Sequence, residues 1–410
     1  VTRPIALTDA LLRDCAERHG TPVWVYDAAT IAARVAELRA FDRVRYAQKA
    51  NGNLAVLALL RELGVEVDAV SAGEVARAIA AGHAPESIVY TADLFDDAAL
   101  EVVRTLPVQV NLGSDFMLAQ LARARRGARA TVRVNPGFGH GHARKTNTGG
   151  ESSKHGVWHE DLPRMVDEAR RLGVVLDGLH VHIGSGSDFD HLTRVCTAVR
   201  ALARVFGPDL RRVSAGGGLP IAYKRDEGDF DVARYCQAWL EAKRSIEGDL
   251  GHPIELEVEP GRRLVAEAGV LVARVRGVKR QGAQEYVMVD AGFNALLRPA
   301  MYGSWHELEV LGAPESAPRA PRLVAGPLCE SGDMWTQGPG GGIEPRLLPA
   351  AREGDLLVVH DAGAYGASMS STYNGHPLAP EVLVRDGVAR LVRRRQAIDE
   401  LLAQERGLDR

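Results

Sequence analysis

Between about residue 23 and residue 262, short β-branched runs alternate with longer amphipathic ones, and this alternation restricts the fold more than any other feature. The runs Val44–Ala47, Val65–Val70, Ile88–Tyr90, Val108–Asn111, Thr131–Val134, Leu176–His182, Arg212–Ser214 and Glu255–Val258 read as strands. Segments with helical spacing lie between them, such as Leu54–Leu63, Gly73–Ala81, Asp115–Arg125, Leu162–Leu172, Leu192–Phe206 and Val232–Ile246. Eight strands separated by helices predict a (β/α)8 TIM-like barrel. A doubly wound open sheet is the alternative. Beyond residue 264 the pattern changes to runs such as Val270–Arg274, Glu285–Asp290, Arg322–Gly326, Asp355–His360 and Val382–Val384, joined by Gly- and Pro-rich loops. The expected organisation is therefore a barrel over 23–262 and a β-sandwich or barrel-like domain over 263–410, completed by the N-terminal segment 1–22.

The formal net charge is −3, which supplies no basic field for nucleic acid or an anionic membrane surface. No apolar run approaches the roughly 20 residues that span a bilayer. Val1–Ala10 contains no basic segment followed by an apolar one, so a secretory leader is not expected there. Cys15, Cys196, Cys236 and Cys329 are far apart and form no Cys-x-x-Cys pair, which suits a reducing cytoplasm better than a zinc ribbon or a disulfide framework. Only six of the 50 basic residues are lysines. Where arginine does nearly all the surface work, a lysine within an apolar stretch invites a role that needs a primary amine, and imine formation is one.

The polar residues fall at the C-terminal ends of the proposed strands, where barrel enzymes carry their active sites. The first strand runs into Gln48-Lys49-Ala50-Asn51, and a lysine buried at a strand end loses its proton easily because desolvation disfavours the ammonium. The sixth ends in His180-Val181-His182, followed by Ile183-Gly184-Ser185-Gly186. The two imidazoles share one face of a strand. Without a third clustered ligand they suit stacking on a flat cofactor better than metal, so no metal is expected. The seventh ends in Ser214-Ala215-Gly216-Gly217-Gly218, whose backbone amides can approach a phosphate closely. The eighth ends in Glu259-Pro260-Gly261-Arg262, offering a carboxylate to a ring nitrogen and a guanidinium to an anion. A lysine, a stacking imidazole, a phosphate cradle and an acid for a ring nitrogen together specify pyridoxal 5′-phosphate.

On these residues the chain resembles the bacterial diaminopimelate decarboxylases of the alanine-racemase-like, fold type III pyridoxal-phosphate family. The matching blocks run in order over nearly the whole length: Tyr46–Asn51, Asp68–Glu74, Arg133–His142, Lys145–Gly150, Ser153–Gly156, His180–Gly186, Gly216–Gly218 and Glu259–Arg262, then Asp290–Asn294, Leu297–Tyr302, Gly326–Asp333 and Gly363–Gly366. Thr91-Ala92-Asp93-Leu94-Phe95 departs from the Gly-Asn-Lys-like run of many members.

The resemblance implies decarboxylation of meso-2,6-diaminopimelate to L-lysine and CO2. It implies that Lys49 holds the cofactor, His182 stacks on its ring and Glu259 meets the pyridine nitrogen. Ser185, Gly217, Gly218, Pro260, Gly261, Arg262 and Tyr365 would surround the rest of the cofactor. Arg262, Arg298, Tyr302, Glu330 and Tyr365 map onto the family's substrate contacts, and Cys329 onto its proton donor. Asp68 resembles the acid near the cofactor lysine. The family's Cys-Glu-Ser segment reaches the partner subunit's site, so a homodimer with shared active sites is implied.

Alanine racemases share the barrel but place an arginine at the pyridine nitrogen, where this chain has Glu259. Ornithine, arginine and carboxynorspermidine decarboxylases are closer alternatives; Arg298 with Cys329-Glu330-Ser331 favours a substrate bearing a distal carboxylate. A non-catalytic pyridoxal-phosphate carrier would lack the second domain. A metal hydrolase built on His140, His142, His180 and His182 is the alternative from another class.

Overall fold

A computed structural model describes residue 4 and residues 7–139, 149–182, 189–224 and 226–408. The chain divides into two compact units: Ala33–Pro220 with Phe230–Arg263, and Val1–Ala32 with Ile221–Asp229 and Leu264–Arg410. β1 (Val23–Asp27) belongs to the second of these.

The first unit is a closed ring of parallel strands. Its members are β2 (Arg43–Ala47), β3 (Glu66–Ala69), β4 (Ile88–Ala92), β5 (Gln109–Leu112) and β6 (Arg129–Asn135), with the two-residue β7 (Val157–Trp158) beside the end of β6, then β8 (Val175–His180), β9 (Arg212–Ser214) and β10 (Glu255–Val258). β5 pairs with β6, and β10 returns to β2, closing the ring. Helices such as Leu54–Glu62, Ala72–Ala80 and Val232–Leu250 connect successive strands. Side chains set where they start. Asn53 Oδ1 accepts from the Ala55 N–H at 2.9 Å, Ser71 Oγ from Glu74 at 3.2 Å, and Asp231 Oδ1 from Arg234 at 2.9 Å. Each satisfies an amide that a first helical turn leaves open.

Barrel interiors are usually filled by branched aliphatic side chains. Toward the N-terminal ends of these strands the filling is ionic instead. Arg45, 1% exposed, grips Glu257 through Nη2 and Nε at 2.9 and 3.1 Å, donates to Gln109 Oε1 at 2.9 Å and lies 2.7 Å from Glu66. Arg212 joins the same layer through Asp177 and Gln109, at 2.8 Å each. Charges removed from water this way are tolerable only because each is paired and hydrogen-bonded.

The second unit is a nine-stranded mixed sheet. It contains β1, β11 (Gly269–Gln281), β12 (Gln284–Val289), β13 (Leu308–Val310), β14 (Arg319–Ala325), β15 (Arg346–Pro349), β16 (Leu356–Val359), β17 (Glu381–Arg385) and β18 (Val388–Arg393). The long β11 organises it. Its first half pairs with β1 and β16, and from Val275 onward it pairs with β12, with a bulge between Val275 and Gly277. The helix Asp9–His19 buries Leu12, Cys15 and Ala16 in one cluster with Val25, Val272, Val358 and Val382, so the N-terminal segment packs with this sheet.

The expected boundary at residue 23 places Val23–Asp27 in the barrel. Instead β1 pairs antiparallel with β11 and parallel with β17, and Ala33 is the first residue of the barrel unit. A short, fully buried run looks alike in either sheet; only its partners decide. The strand expected to reach His182 stops at His180, because the neighbouring β9 has only three residues and its last, Ser214, pairs with His180.

Candidate active site

At the C-terminal end of the barrel, β2 runs directly into a single 3-10 turn, Gln48–Ala50. Gln48 and Ala50 are buried and anchor it: Gln48 Nε2 donates to the Glu74 carbonyl at 3.1 Å, and the Tyr46 hydroxyl donates to the Asn51 carbonyl at 3.1 Å. Lys49 between them is exposed. The expectation of a buried lysine is thus corrected. The turn's alternation sends Gln48 and Ala50 inward and leaves the amine outward.

The floor beneath Lys49 is a set of polar groups from successive strand ends. Glu259, just past β10, is 5% exposed. Its Oε2 lies 3.0 Å from His180 Nε2, and its Oε1 accepts from the Ser214 hydroxyl at 2.9 Å. Asn111 Nδ2 lies 3.0 Å from His180 Nδ1 and donates to it, which puts the ring hydrogen on Nε2, facing the carboxylate. Burial works against the Glu259 carboxylate, but His180 outweighs it, helped by the Ser214 hydroxyl, and holds the group down at about 2. Asp68, at the end of β3, goes the other way. Burial and the nearby charge of Glu259 push its carboxyl up to about 7, against the pull of Lys49 and Thr91. Two carboxyl groups driven apart in this way mark a functional site.

His182 follows in extended chain beyond β8. Its Nδ1 accepts from the Gly217 N–H at 3.1 Å, and burial, with Arg133, Lys49 and His180 nearby, keeps the ring well below the usual histidine range and so neutral. Gly216 has φ 65°, and a Cβ there would lie 2.2 Å from the Val181 carbonyl. One at Gly217 would lie 2.5 Å from the Glu259 carbonyl. Both positions therefore require glycine. Pro260 and Gly261 are buried; the Pro260 carbonyl accepts from the Ala47 N–H at 3.0 Å and Gly261 lies against Ala47 and Ala50, which joins the eighth strand end to the Lys49 turn. Arg262 is half-buried at the start of the short helix Arg262–Val265. Ser185, His140, His142 and Lys145 lie outside the described residues.

His180, His182 and Glu259 bring their ligand atoms within 4.8 Å of one another, so a third metal-type ligand does accompany the two histidines. Each is already engaged with a protein group. Sequence reasoning missed Asn111 and Thr91 and did not separate Ser214 from its glycine run. The signal was there: each is a polar residue at or near the C-terminal end of a barrel strand. The departure at Thr91–Phe95 has a structural counterpart. The Asp93 carboxylate pairs with His155 and bonds the Gly156 N–H, tying the segment after the 140–148 stretch to the end of β4.

In the other unit, Arg298 is buried and donates through Nη1 to the Tyr223 hydroxyl at 2.8 Å and to His306 Nε2 at 3.1 Å. Tyr302 is half-buried at the end of the same short helix, Arg298–Tyr302. Tyr365, half-buried, has φ 57°, left-handed backbone that costs a non-glycine residue about 1–3 kcal/mol. Cys329 and Glu330 are exposed. Their loop is anchored by buried Asp333, which accepts from the N–H groups of Phe293 at 2.7 Å and Leu328 at 2.8 Å. Cys329 N–H donates to Asn374 Oδ1 at 3.1 Å, and the Tyr373 hydroxyl donates to Glu330 at 2.5 Å. The acid and the thiol are thus presented outward on a fixed loop.

Residues 29–266 match the family described as "Pyridoxal-dependent decarboxylase, pyridoxal binding domain". The diaminopimelate decarboxylase of Escherichia coli (strain K12) is 54% identical over 403 residues, covering 96% of each chain. That of Streptomyces coelicolor is 54% identical over 409 residues, covering 98% of this chain and 93% of the relative. A crystal structure of a diaminopimelate decarboxylase superposes with a TM-score of 0.95 at 53% identity, over 98% of this chain and 97% of that one. The Helicobacter pylori diaminopimelate decarboxylase complexed with L-lysine superposes with a TM-score of 0.86 at 30% identity, over 97% of this chain and 100% of that one.

Proposed function

The chain belongs to the pyridoxal-dependent decarboxylases, among the diaminopimelate decarboxylases, and from that premise we infer how its own residues divide the work. It is a carboxy-lyase that uses pyridoxal 5′-phosphate to convert diaminopimelate to lysine and CO2. The observation that carries the site assignment is the Glu259 carboxylate, buried and ionised at the end of the eighth barrel strand, bonded to His180 and Ser214. The residues present fit the cofactor. Buried oxygens of Asp68 and Asn111 lack a hydrogen-bond partner among the described residues, and a Cβ at Gly216 or Gly217 would strike the backbone, so the chain at the strand ends is free of side chains there.

When bound, the cofactor supplies an electron sink for the pair released as CO2 leaves. Lys49 would hold it through Nζ. Glu259, ionised at neutral pH, would hold a proton on the ring nitrogen and so keep the sink effective. His182, neutral and flat, would stack on the ring without adding a competing charge. Ser185, Gly217, Gly218, Pro260, Gly261, Arg262 and Tyr365 would hold the rest of the cofactor, and Arg262, Tyr302 and Tyr365 would also reach the substrate.

The substrate carries an amino-acid group at each end, so the end that does not react must be gripped as a zwitterion. Arg298 meets its carboxylate and Glu330 its ammonium. Cys329 Sγ gives the proton that replaces the lost carboxylate, since a positioned thiol can act as a general acid. The outward presentation of Cys329 and Glu330 supports their acting in a partner's site, in a homodimer. Four free cysteines, one of them exposed, support a reducing cytoplasmic setting. No described helix is long and apolar enough to cross a membrane.

The test is a product assay on the purified, cofactor-loaded protein with meso-diaminopimelate, ornithine and arginine. Equal amounts of lysine and CO2 from diaminopimelate are expected. Faster turnover of ornithine or arginine would contradict the reading.

A further inference from the structure

Arg298 is held by two side chains. Its Nη1 donates to the Tyr223 hydroxyl at 2.8 Å and to His306 Nε2 at 3.1 Å. The guanidinium carbon lies 4.8 Å from the centre of the Tyr223 ring, and the Tyr223 and His306 rings meet edge to face, 5.4 Å apart at 77°. His306 is 3% exposed, and its Nδ1 lies 2.9 Å from the His360 carbonyl oxygen. A carbonyl only accepts and a guanidinium only donates, so these two contacts admit one arrangement: hydrogen on Nδ1, lone pair on Nε2. His306 is thereby fixed as a neutral imidazole in a single tautomer.

Nη1 carries two hydrogens, and both are committed. A carboxylate must therefore meet this guanidinium through Nη2 and Nε, the edge whose parallel N–H groups form a two-pronged pair. The supports are themselves fixed. The N–H of His360, next to the β13–β16 pairing, donates to the Glu307 carbonyl at 2.9 Å. The Glu227 carboxylate accepts from the N–H groups of Tyr223 and Lys224 at 2.8 and 3.2 Å.

We propose that His306, together with Tyr223, is a specificity-determining positioning residue: by accepting from Nη1 it turns the Nη2–Nε edge of Arg298 toward the substrate's distal carboxylate. The proposal rests on Arg298 being the reader of that carboxylate. A residue with a merely structural role would affect folding, or all substrates alike. A positioning residue should affect only substrates that carry the distal carboxylate.

The test compares the cofactor-loaded enzyme on meso-diaminopimelate and on D-lysine, which keeps the reacting end and lacks the distal carboxylate. His306→Leu should raise KM for diaminopimelate by about 10-fold or more, with kcat and the cofactor absorbance nearly unchanged and D-lysine kinetics unaffected. His306→Gln, which restores an acceptor oxygen near the Nε2 position, should recover most of that loss. Tyr223→Phe, which removes only the hydroxyl, should raise KM in the same direction by less, and it carries the test if His306→Leu does not fold. Equal losses on both substrates, or a loss of thermal stability with KM unchanged, would overturn the proposal. Arg298→Ala separates the two levels. If that variant still prefers diaminopimelate over D-lysine, the reading of Arg298 has failed and the positioning role with it. If it loses the preference while the His306 and Tyr223 variants keep theirs, only the positioning role has failed.

Discussion

Replacing Glu259 with Gln keeps the size of the side chain and removes its charge. The consequences follow from its contacts. The amide oxygen can still accept from Ser214 Oγ, now at 2.9 Å, but the amide nitrogen then faces His180 Nε2, whose hydrogen is fixed there by Asn111. Two donors meet in a buried site, or His180 changes tautomer and gives up Asn111. Either outcome leaves one polar group unsatisfied, at about 1–3 kcal/mol. A second loss comes from linkage. The Glu259 carboxyl is held down to about 2 from an ordinary 4.5, so its ionised form stabilises the fold above the ordinary value, and that stability is lost as pH falls from 4.5 through about 2. At about 1.4 kcal/mol per pKa unit, the contribution at neutral pH is roughly 3 kcal/mol as an order of magnitude. Part is returned, because Asp68 no longer feels the Glu259 charge and falls from about 7. The variant should melt at a lower temperature than wild type at pH 7, with the gap closing toward pH 3. Its kcat should fall about 100-fold or more, the usual result of removing one preorganised electrostatic partner. Stopped assays for lysine across pH, with melts followed in parallel, measure both effects. A Glu259→Gln enzyme with kcat within about threefold of wild type would refute the assignment of Glu259 to the ring nitrogen.

Three further outcomes follow. Arg298→Ala should lower the specificity constant for diaminopimelate by about 10- to 150-fold with little change in cofactor affinity, as expected for losing one charge-assisted pair; an unchanged constant would make Arg298 structural. Arg45→Ala leaves the buried Glu257 with Arg43, 3.9 Å away, as its remaining ion pair and should cost about 3 kcal/mol in denaturant unfolding, whereas a midpoint equal to wild type would mean that water already solvates the ionic layer. Mixing inactive Lys49→Ala and Cys329→Ala subunits should restore about a quarter of wild-type activity if each site draws on both subunits of a symmetric dimer, and none if both residues act in the same chain.

Much of the barrel could be read from the sequence because its strands and helices carry local signals. The strands Arg212–Ser214 and Glu255–Val258 and the helix Leu162–Leu172 begin and end where the pattern places them. What could not be read depends on partners distant in sequence. Val23–Asp27 is as apolar as a barrel strand, and only its pairing with β11 and β17 assigns it to the other sheet. Arg45 looks like a surface residue between Val44 and Tyr46 until Glu257 and Gln109, brought round by the closed ring, surround it. The strand ends made Lys49, His182 and Glu259 candidates for the chemistry. Asn111 and Thr91, which bond His180 and Asp68 there, are ordinary polar residues whose meaning comes from the positions they occupy.

The central claim is that this barrel holds its cofactor on Lys49, and the scarcity of lysine makes it directly measurable. The protein, loaded with pyridoxal 5′-phosphate and reduced with borohydride, is digested, and the peptide carrying the cofactor mass is identified. The label is expected on Lys49 alone among the six lysines, and Lys49→Ala should take up no reducible label while still folding. A label on Lys154, Lys224, Lys243 or any lysine other than Lys49, or one that persists in Lys49→Ala, would contradict the account.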